Sequence, residues 1–117
     1  ILIAGGWKPG FSTDYDAVLL AKTYNAKELI NLYNIDYIYE SDPRINPDAK
    51  KMETLSWADL RKIVGDKWIP GANLPFDPVA TKAGQKLKLT LKFTKGTDLI
   101  SLDDILCDRL YKGSLIK

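Results

Sequence analysis

Histidine is absent from the 117 residues. That removes imidazole acid–base catalysis, Ser-His-Asp triads and histidine metal ligation from consideration. The single cysteine, Cys107, has no second thiol for an internal disulfide and too few companions for a zinc site, so a reducing, cytoplasmic compartment is expected. Long apolar runs are missing as well. The longest, Ala17–Ala21, is far below the roughly 18 residues of a membrane span, and no signal-peptide pattern is visible; no membrane partner is expected. Charge of one sign is not in excess: Lys+Arg 17 against Asp+Glu 15 leaves +2, too little to argue for a nucleic-acid partner. Any chemistry must therefore come from carboxylates, lysines, hydroxyls and backbone amides.

What is present is one domain's worth of ordinary globular sequence, 45% hydrophobic and 27% charged, enough for one core. The chain opens inside an apolar run, Ile1-Leu2-Ile3-Ala4, closed by Gly5-Gly6. Such a run reads as a buried parallel strand, and a strand starting without a lead-in suggests a piece of a longer chain. A helix is expected over about Asp14–Asn25 with Thr13 as N-cap and Ala17, Leu20, Ala21 and Tyr24 on its apolar face. Lys27–Leu32 reads as a strand, and Asn34–Lys51, rich in Asp, Asn and Pro, as a long loop. Ser56 starts a helix through Val64, with Asp59 set for a capping box and Gly65 as the stop. After a loop over Asp66–Phe76, Asp77-Pro78 opens a helix to about Lys86. Lys88–Thr94 alternates as a strand with one covered face. Leu99, Leu102, Leu106 and Leu110 lie on one helical face, and Gly113–Lys117 reads as a last short strand. The succession is that of an α/β sheet with covering helices.

In open α/β sheets ligands bind beyond the carboxyl ends of strands, and two loops follow such ends. The first, Gly5–Thr13, carries three glycines, Lys8, Ser12 and Thr13 at a helix N-terminus. Free amides and the helix dipole suit an anion there; a tight turn before a well-capped helix explains the same residues. It matches neither the P-loop nor the Gly-x-Gly-x-x-Gly fingerprint. The second, Tyr33–Pro43, packs three tyrosines and two aspartates into eleven residues. Tyrosine can stack on a base and aspartate can accept from sugar hydroxyls, yet tyrosines bridging core and solvent would look alike.

Taken in order, Gly5-Gly6-x-x-Pro9-Gly10-x-Ser12-Thr13-Asp14, Asn34-Ile35-Asp36-x-Ile38-Tyr39-x-x-Asp42-Pro43, Asp48-Ala49-Lys50-Lys51, Phe76-Asp77-Pro78-x-Ala80-x-Lys82 and Lys112-Gly113-Ser114-Leu115-Ile116 resemble the amino acid kinase superfamily. Within it the resemblance is closest to uridylate (UMP) kinases of the archaeal type. It covers nearly the whole chain with five motifs in sequence.

The resemblance implies a three-layer αβα sandwich with a mainly parallel sheet. Residues 1–117 would be the single, carboxyl-terminal, nucleotide-binding half of the domain. It implies transfer of the γ-phosphoryl of ATP to UMP to give UDP, with Mg²⁺ as cofactor, in a homohexamer. The acceptor loop would be Gly6, Trp7, Lys8, Pro9, Gly10, Phe11, Ser12 and Thr13, the last two holding the UMP phosphate. Asp14 would be the catalytic carboxylate that arranges cations around the transferring group, although an acid in a first helical turn is also favoured by the dipole alone. Tyr33, Tyr39 and Asp42 would line the ATP pocket, and Asp77 matches a carboxylate near the site that an N-cap role explains equally. No residue is assigned as a metal ligand. Two departures stand out: Tyr33 occupies a position commonly threonine, and Tyr37 one commonly glycine, so the turn's backbone must differ there. A superfamily member with another acceptor, or a non-catalytic nucleotide-binding module, fits the same motifs.

Overall fold

Each of the four helices found among the described residues begins at a side chain whose oxygen accepts a backbone N–H of its first turn, leaving fewer orphan donors. Ser12 Oγ accepts from Tyr15, Ser56 from Asp59, Asp77 from Ala80 and Asp98 from Ser101. In chain order the elements of this computed structural model are α1 (Thr13–Tyr24), β1 (Glu28–Tyr33), β2 (Ile38–Tyr39), β3 (Lys51–Met52), β4 (Thr54–Leu55), α2 (Trp57–Val64), α3 (Pro78–Leu87), β5 (Thr90–Lys95), α4 (Leu99–Leu106) and β6 (Ser114–Ile116). The structure describes residues 1–67, 69, 71 and 73–117. Trp68, Pro70 and Ala72, within the loop expected over Asp66–Phe76, lie outside the described residues. No described helix is long and apolar enough to cross a membrane.

The main sheet has the order β1-β5-β6-β4. β1 runs parallel to β5, and β4 parallel to β6, while β5 and β6 are antiparallel. β2 and β3 form a separate antiparallel ribbon. Side chains alternate across β5. Leu91 and Phe93 join Val18, Ala21, Leu60 and Ala80 of α1, α2 and α3 in one apolar core. Lys92 and Thr94 turn to the opposite face, where Lys92 Nζ meets Glu28 (3.0 Å) and Asp108 (3.2 Å), and Thr94 Oγ1 donates to the Lys112 carbonyl. The buried ammonium is retained because it is paired on both sides. α4 packs on that second face through Ile105 and Ser101, which completes the expected αβα layering.

Several sequence expectations are corrected. The N-cap of α1 is Ser12, with Thr13 already helical. The buried face of α1 runs through Val18 and Ala21, whereas Leu20 and Tyr24 are exposed, because the helix is turned toward α3 and β1. Ile1–Ala4 forms no strand: it has no ladder partner among the described residues, and Ile1, Leu2 and Ile3 are exposed. β5 is covered on both faces, not one, as its run of buried residues records. α4 ends at Leu106, leaving Leu110 beyond it, and Leu99, Leu106 and Leu110 face outward; the leucine spacing marks a stripe that the sheet does not use. The loop expected over Asn34–Lys51 contains β2, and β3 begins at its end.

α3 carries Gly84 where it crosses α2. A Cβ built there would stand 2.6 Å from Cη2 of the Trp57 ring, and that ring is fixed by an indole N–H donated to the Leu89 carbonyl at 2.7 Å. In an open helix, glycine to alanine gains about 1 kcal/mol. Here overpacking against an immobile ring costs about 1–3 kcal/mol. Gly84→Ala is therefore expected to lower the thermal unfolding midpoint of the chain, by about 4–8 °C per kcal/mol lost. A midpoint equal to or above that of the parent would show that the helices separate at no cost.

Candidate functional site

Parallel pairing with β5 brings β1 to its carboxyl end at Tyr33, beside Lys95. From there the chain enters the β2–β3 ribbon, whose position is set by one buried hydroxyl. Ser114 Oγ of β6 accepts from the Ile38 N–H at 2.9 Å and donates to the Met52 carbonyl at 2.6 Å. This stitch holds Tyr39 and the turn after it against the sheet. The result is a cleft of about 290 Å³ in which Tyr33, Tyr39 and Asp42 all take part. Its other wall, Asn73, Leu74 and Pro75, belongs to the loop before α3.

The two walls are joined by side chains. The Tyr33 hydroxyl donates to the Leu74 carbonyl at 3.0 Å, and Asn31 donates to the Pro75 carbonyl at 3.2 Å. Arg44 forks onto Asp42, Nε to Oδ1 at 3.0 Å and Nη2 to Oδ2 at 2.6 Å, while its backbone N–H donates to the same Oδ1 at 2.9 Å. With the Asn73 amide oriented by its partners, its oxygen accepts from Arg44 Nη1 at 2.7 Å and its NH₂ faces the Tyr33 hydroxyl at 3.3 Å. The Arg44 hydrogen bonds hold the Asp42 carboxyl down to about 2. Burial raises the Tyr33 phenol, with the nearby Asp14 charge adding to it and Arg44 opposing.

Asp14 approaches the same end of the sheet from α1. Its Oδ2 accepts the Asp77 backbone N–H at 2.9 Å, which ties the N-terminus of α1 to that of α3. Burial pushes the Asp14 carboxyl up, the Asp77 N–H holds it down, and the Asp77 charge raises it further. Asp77 is both the cap of α3 and a member of this junction. Two helix N-termini with their dipoles thus meet beside the cleft, a favourable setting for an anion.

The loop Gly6–Thr13 does not line the cleft; it stands exposed ahead of α1. Trp7, Phe11 and Tyr15 form a chain of rings, 5.1 Å and 5.3 Å between centroids, and the Lys8 ammonium sits 4.1 Å from the Trp7 ring centre. Gly10 at φ 91° makes the turn that few other residues allow. A residue the sequence did not single out, Asp16, anchors this loop by accepting the Trp7 N–H at 3.0 Å. Tyr37 takes no positive φ, so the turn is built without glycine's conformation; its ring lies 4.6 Å from the Lys51 ammonium. Arg44 and Asn73 were also missed. Arg44 is signalled only by its spacing of two from Asp42, and Asn73 by nothing local.

The match of the family model described as the amino acid kinase family runs over residues 1–94, and the chain belongs to that family. Along its full length it is similar to the uridylate kinase of Methanospirillum hungatei JF-1, 36% identical over 117 residues, covering 99% of this chain and 50% of that protein. The uridylate kinase of Pyrobaculum calidifontis is 41% identical over 78 residues, 67% of this chain and 36% of that one. The crystal structure of the uridylate kinase of Archaeoglobus fulgidus matches with a TM-score of 0.80 at 31% identity, over 97% of this chain and 50% of that chain. The chain spans about half, or less, of the length of these relatives.

The Asp42–Arg44 pair gives a pH prediction. The folded Asp42 value lies below the ordinary 3.8, so the pair's contribution is complete above the unfolded value and fades as pH falls through about 2. In Arg44→Ala, the Asp42 carboxyl carbon followed by NMR is expected to titrate back in the ordinary carboxylate range. An unmoved midpoint would remove Arg44 as the cause.

Proposed function

We propose that these residues form the nucleotide-binding half of a UMP kinase, in which ATP occupies the Tyr33–Tyr39–Asp42 cleft and the UMP phosphate meets the Gly6–Thr13 loop. The observation that carries the reading is the meeting of the α1 and α3 N-termini through Asp14 and Asp77 beside a cleft with tyrosines and an ionised carboxylate. The similarity to uridylate kinases supports ATP as donor and UMP as acceptor. The family resemblance extends the reading to a homohexamer in the cytoplasm serving pyrimidine nucleotide synthesis.

Phosphoryl transfer asks the protein for alignment of two anions and for charge stabilisation, with little covalent work. In this reading Tyr39 offers its ring to the base, and Asp42, kept ionised by Arg44, accepts from the sugar. The helix N-termini draw the phosphates. Asp14, with its carboxylate fixed by the Asp77 N–H, orients cationic groups around the transferring phosphoryl. Among the described residues, no group of three or more acidic or other metal-ligating side chains gathers in one place. Mg²⁺ commonly rides on nucleotide phosphates, where it would neutralise charge.

Binding by calorimetry tests the donor half directly. Tyr39→Ala is expected to weaken ATP binding to the 117-residue chain about tenfold, the scale of one lost base–aromatic stack. Unchanged ATP affinity would assign the cleft to another ligand. The chain alone is expected to form no measurable UDP, and turnover at the rate of a complete UMP kinase would overturn the proposed division of labour. A panel of UMP, CMP and small acids, offered to a protein of the relatives' full length, separates UMP kinase from other acceptors and from a non-catalytic module.

Asp14→Asn separates catalysis from folding. The folded Asp14 binds its proton more tightly than the unfolded chain does, so its charge costs stability as pH rises through the folded value. The amide retains an oxygen for the Asp77 N–H. The variant should therefore be at least as stable at neutral pH, with the difference vanishing below about pH 3. In the full-length enzyme turnover should fall by roughly a hundredfold or more while ATP still binds. Near-normal turnover would reduce Asp14 to a helix-start residue.

A further inference from the structure

The Asp42 carboxylate offers about four acceptor positions, two on each oxygen. Three are already filled by Arg44: its backbone N–H and Nε on Oδ1, and Nη2 on Oδ2. The fourth, on Oδ2, has no partner among the described residues. The fork also fixes the plane of the carboxylate, because Nε and Nη2 along one guanidinium edge meet its two oxygens; outside the fork, Nη1 is bound at 2.7 Å by the Asn73 oxygen on the opposite wall of the cleft. Arg44 therefore has its donors turned to protein acceptors, which argues against a role as a clamp on a triphosphate. It is a brace on Asp42, which lines the cleft, and it leaves one acceptor position of that carboxylate unfilled among the described residues.

We propose that Arg44 is a positioning residue that makes the cleft select ribonucleotides over deoxyribonucleotides, by holding Asp42 so that its one unfilled Oδ2 position accepts a single ribose hydroxyl. The proposal rests on the nucleotide reading of the cleft and goes beyond it in naming what discriminates the sugar. An unbraced carboxylate at this exposed site would rotate and hydrate. A ribose hydroxyl would then exchange one water contact for another, with little net gain. A braced one has already given up that freedom, so the hydroxyl meets a prepared acceptor and its loss is felt. Asn73 acts differently. It ties Arg44 to the second wall and, through its NH₂, to Tyr33, so it shapes the cleft for every nucleotide irrespective of its sugar.

Calorimetric titration of the 117-residue chain with ATP, 2′-deoxy-ATP and 3′-deoxy-ATP reads this directly. The parent should bind ATP about tenfold more tightly than one of the two deoxy compounds, the size of one charge-assisted hydrogen bond, and about equally to the other. Arg44→Met keeps the length of the side chain and removes the fork. It should bring ATP down to the affinity of the disfavoured deoxy compound while changing that compound less than about twofold. Arg44→Lys keeps the charge without the planar fork, and should recover less than half of the lost discrimination on a logarithmic scale. Asn73→Ala should weaken ATP and both deoxy compounds in parallel, leaving their ratios unchanged. If Arg44→Met weakens all three nucleotides alike, or none, the sugar-selecting role is overturned. Full discrimination in Arg44→Lys would overturn the requirement for a fork. If the parent binds ATP and both deoxy compounds equally, the role fails while the nucleotide reading stands. If it binds no nucleotide, the reading beneath it fails too. A thermal unfolding midpoint for each variant within a few degrees of the parent's is expected, since Arg44 and Asp42 lie at the surface.

Discussion

The burial of β5 on both faces is the constraint from which the rest of the architecture follows. Leu91 and Phe93 close the core under α1, α2 and α3, while Lys92 and Thr94 are covered from the other side. A strand enclosed in this way must pair along both edges or bury unpaired amides. β1 fills one edge and β6 the other. The parallel partner, β1, ends at Tyr33. The antiparallel partner, β6, begins with Ser114, whose hydroxyl captures the β2–β3 ribbon. The segments that bear Tyr33, Tyr39 and Asp42 are thus suspended from the two edges of one strand.

The carboxylates around the site illustrate how environment divides one residue type into different roles. Asp42 is exposed and forked by a guanidinium, so it stays ionised far into acid. Asp14 is largely removed from water and faces a second carboxylate, so it holds its proton more tightly. Asp77 is turned inward to cap α3. A chain without histidine can still present both a carboxylate that stays charged well into acid and one sensitive to its neighbours.

Two of the four caps, those of α2 and α3, are legible residue for residue in the sequence, and for a physical reason: a cap is a contact between residues three apart. Ser56 with Asp59, Asp77 before Pro78, and the stop at Gly65 are local facts, and the helices lie where these facts put them. The order of motifs was likewise sufficient to identify the family, since it depends on residue identity along the chain and not on distances through space. Even so, Ser12 displaced Thr13 as cap. Neighbouring hydroxyls are equivalent on paper, and only the backbone conformation chooses between them.

Contacts between distant segments were decided by the tertiary structure alone. Four residues of sequence mark Ile1–Ala4 as a strand, but a strand exists only with a ladder partner, and those residues have none among the described ones. Leu99 and Leu106 of α4 keep helical spacing with Leu102 yet face outward, because Ile105 and Ser101 fit the sheet. Asp14 meets Asp77 across 63 positions of chain, and Ser114 meets Ile38 across 76. Arg44 reaches Asn73 from the opposite wall of the cleft. The sequence by itself determined the starts of α2 and α3, the alternation of helices with strands and the family, because these depend on near neighbours and residue identity. Which faces are buried, and which side chains close the cleft, depends on the pairing of β5 with its two neighbours, an energy that no local segment contains.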